Sequence, residues 1–332
     1  MAIQIRAAEA AEIETVASGL VQAARHRATV DPVFWALVAD PVAAQRTALS
    51  AALSGPASPI RQRWILAFDD DALCGVAHTI LLPVPPIYAG EFGPPGLLME
   101  DCYVDAHAPD GTAAALLAAA EADLTDAGAQ ILLASGDPDG AWGAVCAAAG
   151  YDPLTLYLAR SDLSDEPAPG IAPAQDSDIA EIVRLSADNR QVLFDLDAFW
   201  KPHPEADARF RAWMTKSLSL TDRDMRVARN GAGLDGYVVA QPATPLHFPP
   251  PHDISAIGVI DDFFHTDIAD PKALARDGAG TRMLFAAAES ALAGRERNTA
   301  MVVCPAAWQS KITWLQGMGY RTAITWSKKR RP

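Results

Sequence analysis

One short segment, residues 276–282, combines glycine, arginine and a hydroxyl in the order RDGAGTR. It follows residues 254–265, whose apolar and β-branched composition predicts a buried strand, and it runs into residues 281–292, whose Ala-rich pattern predicts a helix. Such a turn lets backbone N–H groups converge, and the first turn of a helix adds unpaired donors and a positive dipole end. The segment therefore favours binding of an anion such as a pyrophosphate, although a simple tight turn uses glycine in the same way.

The elements after this helix follow a defined order. Residues 300–304 predict a short strand, residues 307–316 a helix that ends at Gly319-Tyr320, and residues 321–328 a last strand. This order, with a helix that ends in a Gly-aromatic pair, resembles the GNAT acyltransferase superfamily.

The glycine signature of that superfamily is Arg/Gln-x-x-Gly-x-Gly/Ala. Gly278 and Gly280 fit it, whereas the basic position is occupied by Ala275 and Arg276 lies one place later. The resemblance therefore extends to the glycines of the loop and leaves the basic contact open.

The same order of elements occurs twice in the chain. Landmarks of different kinds recur at a nearly fixed separation: Phe34-Trp35 with Phe199-Trp200, Gly75 with Gly236, Asp101 with Asp262, and Gly150-Tyr151 with Gly319-Tyr320. Such recurrence predicts an internal repeat. The Phe-Trp pairs are candidates for the contact between the copies or for walls of acceptor clefts, with ordinary core packing as the alternative.

The resemblance to the superfamily covers both copies. It implies an α/β fold of two tandem GNAT-like domains, residues 1–161 and 171–332, each with a mixed, mostly antiparallel sheet flanked by helices. The linker, residues 161–173, is rich in acidic residues, Pro and Gly.

In the second copy the resemblance implies a site for acyl-CoA, most simply acetyl-CoA, between the strands at residues 256–264 and 300–304. Asp262 is then the base that accepts the proton of an amine, and Asp261, on the opposite face of the strand, is the alternative. Both carboxylates could instead mark only the edge of the strand. The residues expected to bind the co-substrate are Phe264, His265, Arg276, Asp277, Gly278, Ala279, Gly280, Thr281, Arg282 and Lys311.

The general acid is not evident from the resemblance. GNAT enzymes commonly place a Tyr four residues before the Gly-aromatic pair, and that position is Leu315 here and Cys146 in the first copy. The leading hypothesis is an N-acyltransferase acting on a small amine. A non-catalytic protein that binds acyl-CoA as a sensor or scaffold is the alternative. A dinucleotide-binding oxidoreductase would need a Gly-x-Gly-x-x-Gly turn, which is not apparent.

The first copy is expected to be a structural partner with a degenerate loop. Asp110-Gly111-Thr112 stands where the second copy has its Gly-Ala-Gly, and no Lys or Arg lies between Arg63 and Arg160. Residues 1–165 hold seven arginines, no lysine and 21 acidic residues, so the net charge of −14 lies entirely in this half. A phosphate-bearing ligand would be repelled there.

Composition sets further limits. A net charge of −14 argues against a nucleic-acid partner, and no apolar run reaches membrane-spanning length, so a cytoplasmic protein is expected. Four scattered cysteines are interpreted as small buried hydrophobes. The histidines form no metal-like cluster, and His247 and His252 are assigned to a polar loop, so no metal is expected. The chain is expected to be a monomer whose copies form an internal pseudo-dimer.

Overall fold

Two copies of one element order share a single sheet. The computed structural model describes residues 3–54, 60–137, 140–166, 168–231 and 233–330. Within these ranges thirteen strands form one mixed, mostly antiparallel sheet flanked by helices. The predicted α/β architecture, a mixed and mostly antiparallel sheet flanked by helices, is therefore confirmed.

The first copy ends at Ser161. Its elements are β1 (Gln4–Ala7), α1 (Ile13–Val30), α2 (Pro41–Ser54), β2 (Gln62–Asp69), β3 (Ala72–Leu81), β4 (Pro95–Leu98), β5 (Tyr103–Val104), α3 (Thr112–Asp126), β6 (Ile131–Gly136), α4 (Ala141–Ala148) and β7 (Asp152–Ser161).

The second copy repeats this series from Ile171. Its elements are β8 (Ile171–Pro173), α5 (Ile179–Leu196), α6 (Ala206–Ser217), β9 (Asp224–Asn230), β10 (Gly233–Pro242), β11 (Ile257–His265), α7 (Ala279–Ala293), β12 (Thr299–Pro305), α8 (Gln309–Gly317) and β13 (Arg321–Arg330). The strand β11 corresponds to β4 and β5 together, because the first copy breaks this strand between Leu98 and Tyr103.

The copies exchange their last strands at the centre of the sheet. The strand order is β1-β2-β3-β4-β6-β13-β7-β12-β11-β10-β9-β8, with β5 paired to β3. The last strand of the first copy, β7, pairs with β12 of the second copy, and β13 pairs with β6 of the first. The two exchanged strands also pair with each other. The order reads the same from both ends when each element is replaced by its repeat, which gives the molecule a pseudo-twofold arrangement.

The repeated Phe-Trp pairs lie where the copies meet. The ring of Phe34 lies 5.2 Å from the ring of Phe248 in the second copy, and the ring of Trp200 lies 5.2 Å from the ring of Tyr88 in the first. Trp35 also packs on Phe248, at 5.5 Å. Each long loop between the third and fourth strands of one copy thus reaches the other copy.

The exchange of strands allows a prediction about the second copy produced without the first. Residues 171–332 alone would lack β7, so the edges of β12 and β13 would expose unpaired backbone groups that template pairing with another chain. We expect this fragment to dimerise or aggregate, and we expect the whole chain to be a monomer at its sequence mass of 35.2 kDa. Light scattering measures both masses, and a folded monomeric fragment would contradict the prediction.

Candidate active site between the two copies

Two parallel strands of the second copy separate and open a gap. Strands β11 and β12 pair from Ile257 and Thr299 as far as Ile260 and Val302. Beyond that point β11 follows only β10, and β12 follows only β7. A break of this kind in an α/β sheet is a frequent ligand site because strand backbone is left unpaired on both sides of the gap.

A β-bulge at the start of the gap brings two carboxylates to one face of the sheet. Asp262 pairs with Val239 and Ile260 with Ala240, so Asp261 is an extra residue without a partner on β10. The expectation that Asp261 and Asp262 lie on opposite faces is therefore wrong, because the bulge interrupts the alternation of side chains.

Hydrogen bonds show that both carboxylates lie on the face covered by α5. The hydroxyl of Tyr237 donates to Asp262 Oδ1 at 2.9 Å, and Asn189 Nδ2 of α5 lies 3.4 Å from the same oxygen. Gln241 Nε2 donates to Asp261 Oδ2 at 2.9 Å. Residues 237 and 241 lie on the same face of β10, so these contacts fix both aspartates on one side.

The two aspartates line a cavity of about 250 Å³ to which both copies contribute. The first copy supplies Ile87, Tyr88 and Thr155, and the second adds the rings of Trp200 and Trp213. The cavity continues past Phe263 and Val303 to Lys311 on α8. It therefore passes through the gap between the separated strands.

Burial in this cavity changes the proton affinity of both carboxyls. It raises the pKa of Asp261 to about 6, and the neighbouring charge of Asp262 acts in the same direction. It also raises the pKa of Asp262, although the hydroxyl of Tyr237 and the charges of Arg190 and Lys311 oppose the rise. A carboxylate with a raised pKa is a better base near neutral pH than an exposed one.

The glycine loop holds a carboxylate of its own. Asp267, fully buried, accepts hydrogen bonds from the backbone N–H of Gly280 at 2.8 Å and of Thr281 at 3.4 Å. Arg276 Nε donates to its other oxygen at 2.6 Å. Two of the first-turn donors of α7 that were expected to bind pyrophosphate are therefore already engaged.

The packing of His265 requires glycine at position 280. A Cβ at Gly280 would lie 2.4 Å from Cε1 of His265, and the Nδ1 of this histidine accepts from the backbone N–H of Asp267 at 3.0 Å. Arg276 and Asp277 have φ of 49° and 51°, which few residues other than glycine adopt. The loop is thus shaped around Asp267.

The other expected co-substrate residues have different environments. Phe264 is a core residue, Gly278 is buried, and Ala279 and Arg282 are exposed. Lys311 lines the cavity, and its Nζ lies 5.1 Å from the ring centres of Phe263 and Trp308. Its expected contact with the co-substrate stays a prediction.

The gap between β11 and β12 leaves strand backbone unpaired, whereas part of the glycine loop is engaged by Asp267. A diphosphate on the loop would have to displace Asp267 from the N–H groups of Gly280 and Thr281. Phosphate binding by residues 276–282 therefore stays a prediction with that condition attached.

Asp267 is the residue of this site that the sequence did not indicate. It lies 13 residues before Gly280, whereas a capping side chain is sought immediately before a helix. A carboxylate that reaches the helix from an earlier loop produces no recognisable pattern in the sequence next to the start of the helix.

The corresponding position in the first copy is filled. Asp101 pairs with Nδ1 of His78 at 2.9 Å, and Arg27 donates to the backbone oxygen of Glu100 at 2.8 Å. His252 of the second copy lies 3.3 Å from Nε of Arg27 and packs on Trp35. His252 is therefore buried, and its expected place in a polar loop is wrong because the loop inserts into the other copy; the side chain of His247 lies outside the described residues.

Other sequence expectations can be compared with the described residues. All four cysteines are free and buried, as interpreted from their apolar surroundings. Among the described residues, no cluster of His, Cys, Asp or Glu is arranged to hold a metal ion. No described helix is long and apolar enough to cross a membrane.

Comparison with known proteins identifies the fold. No protein-family model and no curated protein matches the sequence. Among solved structures, a GCN5-related N-acetyltransferase from Sphaerobacter thermophilus superposes with a TM-score of 0.53 at 14% identity, covering 99% of this chain and 96% of that one.

Two further structures are similar at lower scores. A tandem GNAT protein from the clavulanic acid biosynthesis pathway, solved without AcCoA, gives 0.48 at 12% identity and covers 100% of this chain and 99% of that one. The PaiA N-acetyltransferase from Thermoplasma acidophilum, solved with coenzyme A, gives a TM-score of 0.35 at 15% identity. That match covers 46% of this chain and 91% of the other. Together with the repeat seen in the sheet, the match over nearly the whole of both chains in the first comparison shows that this chain has the fold of the GNAT N-acetyltransferases, in two tandem copies.

Proposed function

We propose that the chain is a GNAT-type N-acyltransferase that transfers an acyl group from acyl-CoA, most simply acetyl-CoA, to a small-molecule amine. In this proposal residues 171–332 carry the reaction and residues 1–161 form a structural partner that supplies one wall of the cavity. The observation that carries the proposal is the pair of carboxylates, Asp261 and Asp262, in a cavity that passes through the gap between β11 and β12.

Asp262 is the proposed base. An ammonium ion must lose a proton before its nitrogen can attack a carbonyl carbon, and a carboxylate within the cavity can accept that proton. Tyr237 and Asn189 hold the Asp262 side chain in place. Asp261 is the second candidate, since the bulge turns it to the same face.

The aromatic rings of the cavity suit a cationic substrate. Tyr88 of the first copy and Trp200 of the second pack together, with ring centres 5.2 Å apart, beside the two aspartates. Aromatic faces attract an ammonium group, and carboxylates add charge complementarity. A small amine is therefore the proposed acceptor.

The co-substrate would supply the acyl group in an activated, thioester form. The residues of the gap, from Asp261 to His265 on β11, would lie along its extended arm. Its phosphate end is expected at residues 276–282 if Asp267 yields the donors it now occupies.

One observation favours a second candidate function, a non-catalytic protein that binds acyl-CoA. The position of the usual tyrosine is Leu315, which is fully buried, and the adjacent Trp314 is buried as well, so α8 offers no hydroxyl there. Turnover of acetyl-CoA against a panel of small amines distinguishes the two functions, because a sensor or scaffold would bind the co-substrate without consuming it.

Replacement of the base tests the catalytic proposal. Asp262→Asn keeps the shape of the side chain but cannot accept the proton, so we expect kcat/KM to fall about a hundredfold or more with acyl-CoA affinity retained. The matched variant Asp261→Asn should lose less activity. The raised pKa of Asp262 predicts that kcat/KM of the wild type falls with acidification at a pH above the ordinary range of an aspartate. Full activity of Asp262→Asn with an unchanged pH profile would exclude the role.

Removal of the internal anion tests the phosphate loop. Asp267→Asn keeps the packing but removes the charge that competes for the N–H groups of Gly280 and Thr281, so we expect CoA to bind about tenfold more tightly in calorimetry. Asp105→Asn is the control in the first copy, since Asp105 accepts from the backbone of His107 and should not affect CoA. Unchanged or weaker binding by Asp267→Asn would show that the diphosphate lies elsewhere.

A further inference from the structure

A buried lysine, Lys311, lines the cavity. Lys311 is only 4% exposed, and among the described residues its Nζ takes part in no hydrogen bond and no ion pair. Its neighbours are the rings of Phe263 and Trp308, each 5.1 Å from Nζ. Burial lowers the pKa of Lys311, and the neighbouring thiol of Cys304 and the charge of Asp262 oppose this.

Such a lysine is costly for folding alone. An unpaired charge removed from water destabilises a protein, and a Met or Leu of similar length would fill the same space without that cost. The two aromatic faces compensate only in part. A lysine retained in this setting and open to a cavity is therefore a candidate for a chemical role.

Lys311 and the aspartates lie on opposite sides of the gap. Asp262 faces α5, as its contacts with Asn189 and Tyr237 show. Phe263, the next residue, faces the other side of the sheet, where it contacts Phe285 of α7 and Lys311 of α8. The cavity reaches both groups. A substrate held in the gap would thus meet a base on one side and a cation on the other.

The leaving group of the proposed reaction needs a proton on the side of α8. Leu315 offers none, and it lies one helical turn after Lys311. Of the other proton donors that line the cavity, Tyr88 has a pKa raised by burial and by Asp262, and Thr155 and Ser186 carry weakly acidic aliphatic hydroxyls. Burial lowers the pKa of Lys311 and raises the pKa of Tyr88, so Lys311 is the stronger acid of the two.

Resting on the proposed function, we infer that Lys311 is the general acid of the second copy. Asp262 first takes the ammonium proton and releases it to solvent. As the neutral amine nitrogen then bonds to the carbonyl carbon and passes a second proton to Asp262, the C–S bond breaks with its electron pair on sulfur. Lys311 gives its proton to that sulfur, and the neutral lysine regains a proton from water. This assignment uses a residue four positions before that of the usual tyrosine.

Two variants and two acyl donors test the inference. Lys311→Met removes the acid, and Lys311→Arg keeps a positive charge that cannot be released near neutral pH. With acetyl-CoA we expect kcat to fall about a hundredfold in both. The thiolate of 4-nitrothiophenol leaves without protonation. With its acetyl thioester as donor, the kcat of both variants should therefore lie within about tenfold of the wild-type kcat. The fall of wild-type kcat/KM at alkaline pH should also disappear in both.

The outcomes separate this inference from the proposed function. If the wild type and both variants are active with acetyl-CoA, the proposed acyltransferase function stands and the role of Lys311 is overturned. Equal losses with both donors in a folded variant, checked by circular dichroism, indicate a structural lysine and overturn it as well. A wild type that turns over no amine with acetyl-CoA overturns both proposals.

Discussion

The exchange of the last strands fixes how the two copies can be placed. Because β7 and β13 lie side by side in the centre, each bonded to the other copy, the copies cannot rotate relative to one another without breaking ladder hydrogen bonds. Backbone pairing of this kind tolerates little displacement, since every buried N–H and C=O that loses its partner costs free energy. The loops of residues 82–94 and 243–256 are thereby held over the opposite copy. A cavity with walls from both copies is a direct consequence.

The two copies share one backbone arrangement, but the space beside the corresponding aspartates is open in one copy and filled in the other. In the second copy the incoming loop adds Tyr88 to the lining and leaves a cavity around Asp261 and Asp262. In the first, the incoming His252 lies against Arg27 and the space beside Asp101 is filled by side chains. The difference arises from side chains on one backbone design, and it supports the proposal that the second copy carries the chemistry.

The repeat could be predicted from the sequence because it depends on landmarks at a fixed separation. The fold and the position of the gap are predicted from the resemblance to the GNAT superfamily, which rests on the order of elements and on the glycines of one loop. The bulge at Asp261 could not be predicted, since one extra residue in a strand leaves the local pattern unchanged. The burial of Lys311 and the partner of His252 depend on contacts between distant segments. The hydrogen bond from Gly280 to Asp267 also depends on such a contact. The sequence of a glycine-rich loop before a helix does not show whether its N–H donors are free or occupied.

The occupied N–H donors of the glycine loop also affect the free energy of ligand binding. A ligand can shift a conformational equilibrium only by the difference in its affinity for the two states. Asp267 lies at the dipole end of α7 with two N–H donors and Arg276, so a diphosphate gains only the excess of its own interactions over those of this carboxylate. The loop as folded therefore weakens its attraction for any anion, and co-substrate binding must draw more of its free energy from the gap between β11 and β12. In that case, the length and contacts of the acyl-bearing arm, more than the phosphates, would determine which donors the protein accepts.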